Sequence, residues 1–275
     1  MVQNLGAKIH FFTKFDELKR IIMKTLERNV TIITGGGKGI GFGLAEAFAE
    51  EGSNLVITGR TLSRLEEAKL KLEAKYGVKV LPIVADGADE EAIKNVVVQT
   101  IATFGKINTL INNAQVSKSG MPLVEHTRED FDLAINSGLY ATFFYMRECY
   151  PYLKETHGSV INFASGAGLF GKLGQSSYAA AKEGIRGLSR VAAAEWGPVG
   201  VRVNVVCPLA MTESLEQWKE NYPDLFEKTI QGIPLGHFAD PKNDIGKVCI
   251  FLASDAAHYV TGETITLQGG SGLRP

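Results

Sequence analysis

The chain has 275 residues, 45% apolar, 21% charged and 9% aromatic, which excludes a disordered tail, a collagen-like fibre and a small disulfide scaffold. Lys plus Arg total 29 and Asp plus Glu 30, a formal charge of −1, so neither nucleic acid nor an acidic membrane is indicated as a partner. No run approaches eighteen apolar residues, and Cys149, Cys207 and Cys249 form no CxxC pair; no membrane span, redox dithiol or metal site is expected. The N-terminus lacks a continuous apolar stretch and a small-residue cleavage site, so the expectation is a cytoplasmic protein with buried thiols.

Residues 1–28 come first and stand apart. Phe11, Phe15, Leu18, Ile22 and Leu26 are spaced by 4, 3, 4 and 4, the stripe of an amphipathic helical extension. From residue 29 to 275 short apolar runs alternate with helical patterns. NVTIIT at 29–34, NLVIT at 54–58, VKVLPIV at 78–84, INTLI at 107–111, GSVINF at 158–163, VRVNVV at 201–206 and ETITL at 263–267 read as strands. They are almost continuously apolar, as strands covered on both faces must be. The expectation is an α/β fold: one domain with a doubly wound, Rossmann-type, seven-stranded parallel sheet and helices on both faces.

After the first strand, Thr34-Gly35-Gly36-Gly37-Lys38-Gly39-Ile40-Gly41 turns the chain and opens a helix at about Gly39. Glycines admit positive φ and let backbone N–H groups approach a pyrophosphate, which the helix N-terminus then attracts. Strand, turn and helix in that order make this a dinucleotide site. The second strand ends in Thr58-Gly59-Arg60, where a carboxylate would accept from the ribose of NAD. Gly59 offers none, and Arg60 and Lys38 can meet a 2′-phosphate, so NADP(H) is the expected cofactor. Asp86, beyond the third strand, can accept from the adenine amino group, or simply cap a turn.

Further along, Tyr178 and Lys182 are four residues apart, neighbours on one helix face. An ammonium beside a phenol favours phenolate, which suits Tyr178 as general acid–base for an alcohol/ketone pair. Ser165 precedes Tyr178 by thirteen residues, just past an apolar strand, and can hold the substrate oxygen.

Across residues 29–270 the sequence resembles the short-chain dehydrogenase/reductase family. The TGxxxGIG turn at 34–41, Asp86, Asn112-Asn113-Ala114, Asn136, Ser165, Tyr178 and Lys182 carry the resemblance. It implies a catalytic set of Asn136, Ser165, Tyr178 and Lys182, with Asn136 holding a relay water and Lys182 bonding the nicotinamide ribose. It also implies that Asn113 and Ala114 face the adenosine half, and that Pro208 and Thr212 flank the nicotinamide. Two departures stand out: Gln115 and Leu209 replace glycines usual in the family, both where nicotinamide and substrate should sit.

Substrate contacts are expected from Gln115, Ser165, Tyr178 and Leu209, from the loop 166–175, and from the segment 209–236. There Met211, Leu215, Trp218, Tyr222, Phe226 and Ile230 are spaced by 4, 3, 4, 4 and 4, the inner face of a lid helix. Closed over a ligand, that face argues for a sizeable apolar alcohol or ketone, with Lys172, Lys219 or Lys228 able to meet a distal carboxylate. NNAQ, PLAMT and the N-terminal extension together resemble hydroxysteroid dehydrogenases acting on bile acids, the 12α-hydroxyl being one candidate position. The alternatives are reduction of a 3-oxoacyl thioester or a sugar ketone and, in another class, an NADP(H)-binding regulator without turnover. The family resemblance implies a homotetramer or dimer, and small residues on the Tyr178 helix would permit close helix packing.

Overall fold

The computed structural model describes residues 24–272. Seven strands lie in one parallel sheet: β1 (Val30–Thr34), β2 (Asn54–Gly59), β3 (Val80–Val84), β4 (Thr109–Asn112), β5 (Ser159–Phe163), β6 (Arg202–Pro208) and β7 (Thr264–Leu267). Their order is β3-β2-β1-β4-β5-β6-β7, all neighbours parallel. Each strand expected from the sequence is present, within two residues at either end. The order reverses between β1 and β4, and a ligand crevice is expected beyond the carboxyl ends there.

Alternate strand residues feed two cores. Ile33, Ile57, Ile111 and Ile161 face a layer built from α1 (Gly39–Glu50), α2 (Leu62–Tyr76) and α10 (Lys247–Ala253). Their neighbours Ile32, Val56, Leu110 and Val160 face the opposite layer, built from α3 (Glu90–Phe104), α5 (Ala141–Thr156) and α7 (Ser176–Trp196). Continuous apolar runs were therefore required, since neither face of the sheet meets water. Close packing needs small residues in places: a Cβ on Gly184 of α7 would stand 2.8 Å from Leu139.

The remaining helices are α4 (Arg128–Ala134), α6 (Gly166–Phe170), α8 (Glu213–Asn221) and α9 (Pro223–Gln231). A π-helical stretch, Ile135–Tyr140, joins α4 to α5. Two expectations are corrected in part. The single lid helix is two, α8 and α9, because the residue before Pro223 is driven out of the α region; Tyr222 takes φ −140°, ψ 62° and is exposed. The rest of the stripe holds: Phe226 is buried with Ile233 and Phe238, and Met211, Leu215, Trp218 and Ile230 pack around them. Of the N-terminal stripe, Phe11, Phe15, Leu18 and Ile22 lie outside the described residues; Leu26 sits in a turn, buried in the core. Among the described residues no helix is long and apolar enough to cross a membrane. Cys149, Cys207 and Cys249 are all buried.

Candidate active site

The crevice predicted at the strand reversal is a cleft of about 560 Å³. Its floor is the turn after β1. Gly35 and Gly39 take φ of +70° and +54°, and a Cβ on Gly41 would collide with the Gly35 carbonyl. A Cβ on Gly39 would meet nothing within 4 Å, so this backbone is open to a large group. Lys38, the residue capping α1, makes no side-chain cap bond. By contrast Asp89 accepts from the first turn of α3, Thr127 from that of α4 and Thr212 from that of α8. The first amides of α1 are thus left without a side-chain cap beside the cleft, the arrangement that receives phosphate.

The walls hold the expected nucleotide residues. Gly35, Gly37, Lys38, Gly39, Ile40, Gly41, Arg60, Asp86, Asn113, Ala114, Asn136 and Thr212 all line this cleft. Asn113 and Ala114 are fixed by three bonds to Thr34: their backbone N–H groups donate to Oγ1 at 2.9 and 3.0 Å, and Asn113 Nδ2 donates to the carbonyl at 3.0 Å. Those bonds tie β4 to the glycine turn. Asp86 accepts from the Ala88 N–H at 3.0 Å, so it is a turn former and a cleft residue at once. The side-chain Oδ1 of Asn112 is buried without a hydrogen-bond partner, an acceptor left over in the wall. Backbone cradle, uncapped helix and spare acceptor fit a dinucleotide.

Arg64 and Thr61 also line the cleft, and the sequence reading missed both. The signal for Arg64 was present: it follows Arg60 by four residues, one turn on.

A second pocket of about 500 Å³ contains Ser165, Tyr178, Pro208 and Leu209. The segment from Pro208 to Thr212 runs from this pocket to the first. Ser165 leaves the end of β5, caps α6 and accepts from the Ala167 N–H at 3.1 Å. Tyr178 and Lys182 stand in the first two turns of α7. Lys182 is 4% exposed; its Nζ donates to the Phe163 carbonyl at 2.6 Å and lies 5.5 Å from the centre of the Tyr178 ring. The end of β5 therefore organises serine and lysine together, and the phenol lies between them.

The electrostatics correct one expectation. Lys182 does not bring the Tyr178 phenol below its ordinary range. Burial raises the phenol, opposed by a hydrogen bond with Ser165. Burial also pushes the Lys182 ammonium down to about 7. Both side chains avoid charge because the site is poorly solvated. Near neutral pH Lys182 can therefore hold or release a proton.

Gln115 is also placed differently from expectation. It lines the nucleotide cleft and is absent from the pocket of Ser165 and Tyr178. Its Nε2 reaches the Ala134 carbonyl at 3.4 Å, and its amide fills the space a Cβ on Gly138 would occupy. It packs on the π-helical stretch that carries Asn136. Leu209 does line the second pocket, as expected. Gln268, just past β7, and Ser119 complete that wall; neither carries a motif that would reveal it.

Comparison with known proteins gives a consistent picture. Residues 35–271 match the family described as enoyl-(acyl carrier protein) reductase. The chain is 60% identical over 259 residues to 12alpha-hydroxysteroid dehydrogenase of a Clostridium species, covering 92% of this chain and all of that one. It is 35% identical over 250 residues to 3-oxoacyl-(acyl-carrier-protein) reductase of Thermotoga maritima, covering 89% and 98%. The crystal structure of levodione reductase superposes with a TM-score of 0.84 at 32% identity, covering 90% of this chain and 98% of that one.

Proposed function

The chain belongs to the short-chain dehydrogenase/reductase family, and from that premise we propose that it interconverts a 12α-hydroxysteroid of bile-acid type and its 12-ketone, using NADP(H). It is an oxidoreductase acting on a CH–OH group. The observation that carries the reading is the grouping of Ser165, Tyr178 and buried Lys182 at the end of β5, one short segment away from the glycine-turn cleft. The 60% identity to a 12alpha-hydroxysteroid dehydrogenase supports the position attacked.

When bound, the dinucleotide supplies the hydride acceptor or donor. Ser165 Oγ and Tyr178 Oη hold the substrate oxygen. In reduction Tyr178 Oη gives that oxygen its proton, and in oxidation it takes the proton back. Lys182 Nζ, titrating at about 7, resupplies the phenol. Asn136, exposed on the cleft wall, is assigned to the route by which Lys182 exchanges protons with solvent. The glycine turn and the first amides of α1 hold the pyrophosphate. Lys38, Arg60 and Arg64, all on the cleft wall, favour a 2′-phosphate where β2 ends in Gly59 with no carboxylate. A single charge-assisted hydrogen bond is worth about 1.5–3 kcal/mol, enough to set cofactor preference about tenfold or more.

We read the assembly as a homotetramer or dimer built across α7, where a Cβ on Gly187 would meet nothing within 4 Å and Val191 is exposed, and the location as cytoplasmic. The test is absorbance at the reduced-nicotinamide band with a 12α-hydroxylated steroid, NAD+ and NADP+ run in parallel. Reduction of NADP+ well ahead of NAD+, with a 12-ketone as product, is expected. Turnover of a 3-oxoacyl thioester but of no steroid would overturn the substrate assignment.

A further inference from the structure

The second pocket has one charged side chain that the reaction does not use. Lys172 lies on its wall, is exposed, and makes no ion pair among the described residues. No Asp or Glu lines the same pocket. The two other lysines considered for this role do not reach it: Lys219 lies over the Phe226 ring, 5.0 Å from its centre, and neither it nor Lys228 is on the wall.

Lys172 is held in fixed relation to the reacting end. Ser165 caps the N-terminus of α6; Gly171 ends that helix in the left-handed region at φ +68°, and the Lys172 N–H returns to the Ala167 carbonyl at 3.0 Å. At about 1.5 Å of rise per residue, the root of Lys172 is on the order of 10 Å from the serine. Phe170, 49% exposed, lies between them in the chain and on the pocket wall, and Leu173, 95% exposed, follows Lys172 in the chain. The loop is braced from across the pocket, where the Gly120 N–H donates to the Gly174 carbonyl at 2.7 Å. The serine hydroxyl, an apolar edge and a cation follow one another along one short helix with its cap and closing turn.

We propose that Lys172 binds a carboxylate on the substrate's side chain and thereby selects which hydroxyl reaches Ser165 and Tyr178. The inference rests on the hydroxysteroid reading and adds an acid to it. On a steroid whose acidic side chain is carried by ring D, the 12-hydroxyl lies at the same end as that acid, whereas the 3-hydroxyl lies at the far end of the ring system. With the carboxylate on Lys172, position 12 is within reach of the serine and position 3 is carried away. The ammonium is solvated, so its contribution is modest and falls with salt.

The experiment compares a 12α-hydroxylated steroid acid with its methyl ester in the native enzyme, Lys172→Ala, Lys172→Arg and, as a lysine off the pocket, Lys228→Ala. The ratio of KM for ester to acid is expected to be about 3 to 5 in the native enzyme and in Lys228→Ala, about 1 in Lys172→Ala, and close to native in Lys172→Arg. In the native enzyme it should shrink as salt rises from 20 to roughly 500 mM. An equal KM for acid and ester in the native enzyme, or a ratio untouched by Lys172→Ala, overturns the assignment of Lys172 while leaving the hydroxysteroid reading in place. Absence of turnover with both acid and ester overturns that reading, and this inference with it.

Discussion

The glycine-turn cleft and the Ser165 pocket are similar in size, yet they are made of different material. The cleft is built largely from backbone: a turn of glycines at positive φ or without room for a Cβ, a helix start with no side-chain cap, and Asn113 tying β4 to Thr34. The pocket is built from side chains that leave the ends of β5, α7 and β6 and the loop after α6. Backbone recognition suits a ligand that is the same in every relative. Side-chain recognition can be revised residue by residue, and it is there that Leu209 and Lys172 stand.

That contrast predicts that the two regions fail independently. The largest effect should come from Tyr178→Phe, which removes the proton donor and leaves the cleft intact. Turnover is expected to fall by about a thousandfold, within the range for loss of an acid–base group, while the dissociation constant for NADPH changes by less than about threefold. A parallel loss of cofactor affinity would break the separation.

A smaller effect is expected on the other side. Arg60→Ala combined with Arg64→Ala should weaken NADP+ binding by roughly 100-fold or more and NAD+ binding hardly at all, since each of the two lost charged bonds is worth about 1.5–3 kcal/mol. Fluorescence titration of both dinucleotides measures it; equal weakening would mean the arginines do not meet a 2′-phosphate.

The smallest effect is on stability. Lys182 titrates at about 7 in the folded protein against 10.5 for a free lysine. Between those values the unfolded chain holds a proton that the native one has lost, so this group makes stability rise with pH from about 7 upward, with no slope below. The melting temperature of the native protein, minus that of Lys182→Met, should therefore increase between pH 7 and 9. A flat difference would mean that Lys182 is charged in the folded state.

The sequence carried the backbone-built half almost completely. Apolar strands register in period and length, and the glycines between 35 and 41 declare the turn because Gly35 and Gly39 take positive φ and Gly41 has no room for a Cβ. Tyr178 and Lys182 were legible because helix spacing alone puts them side by side. Burial is not written in spacing, however, and for that reason the direction of their titration came out reversed. The Tyr222–Pro223 break was written in the chain but masked by a stripe that ran through it at helical intervals. Gln115 packs on Ala134 and Gly138 and not in the Ser165 pocket, because nothing local announces that the helix ending at Ala134 continues as a π-helical stretch. Gln268 comes from the far end of the sheet, and only the strand order places it beside Ser165.

The most direct test follows the hydride itself. A 12α-hydroxysteroid acid carrying deuterium at carbon 12 is incubated with NADP+, and the reduced cofactor is examined by mass spectrometry. The account predicts deuterated NADPH and the 12-ketone in equal amounts, both lost in Tyr178→Phe. Unlabelled NADPH, or transfer that continues undiminished in Tyr178→Phe, would contradict it.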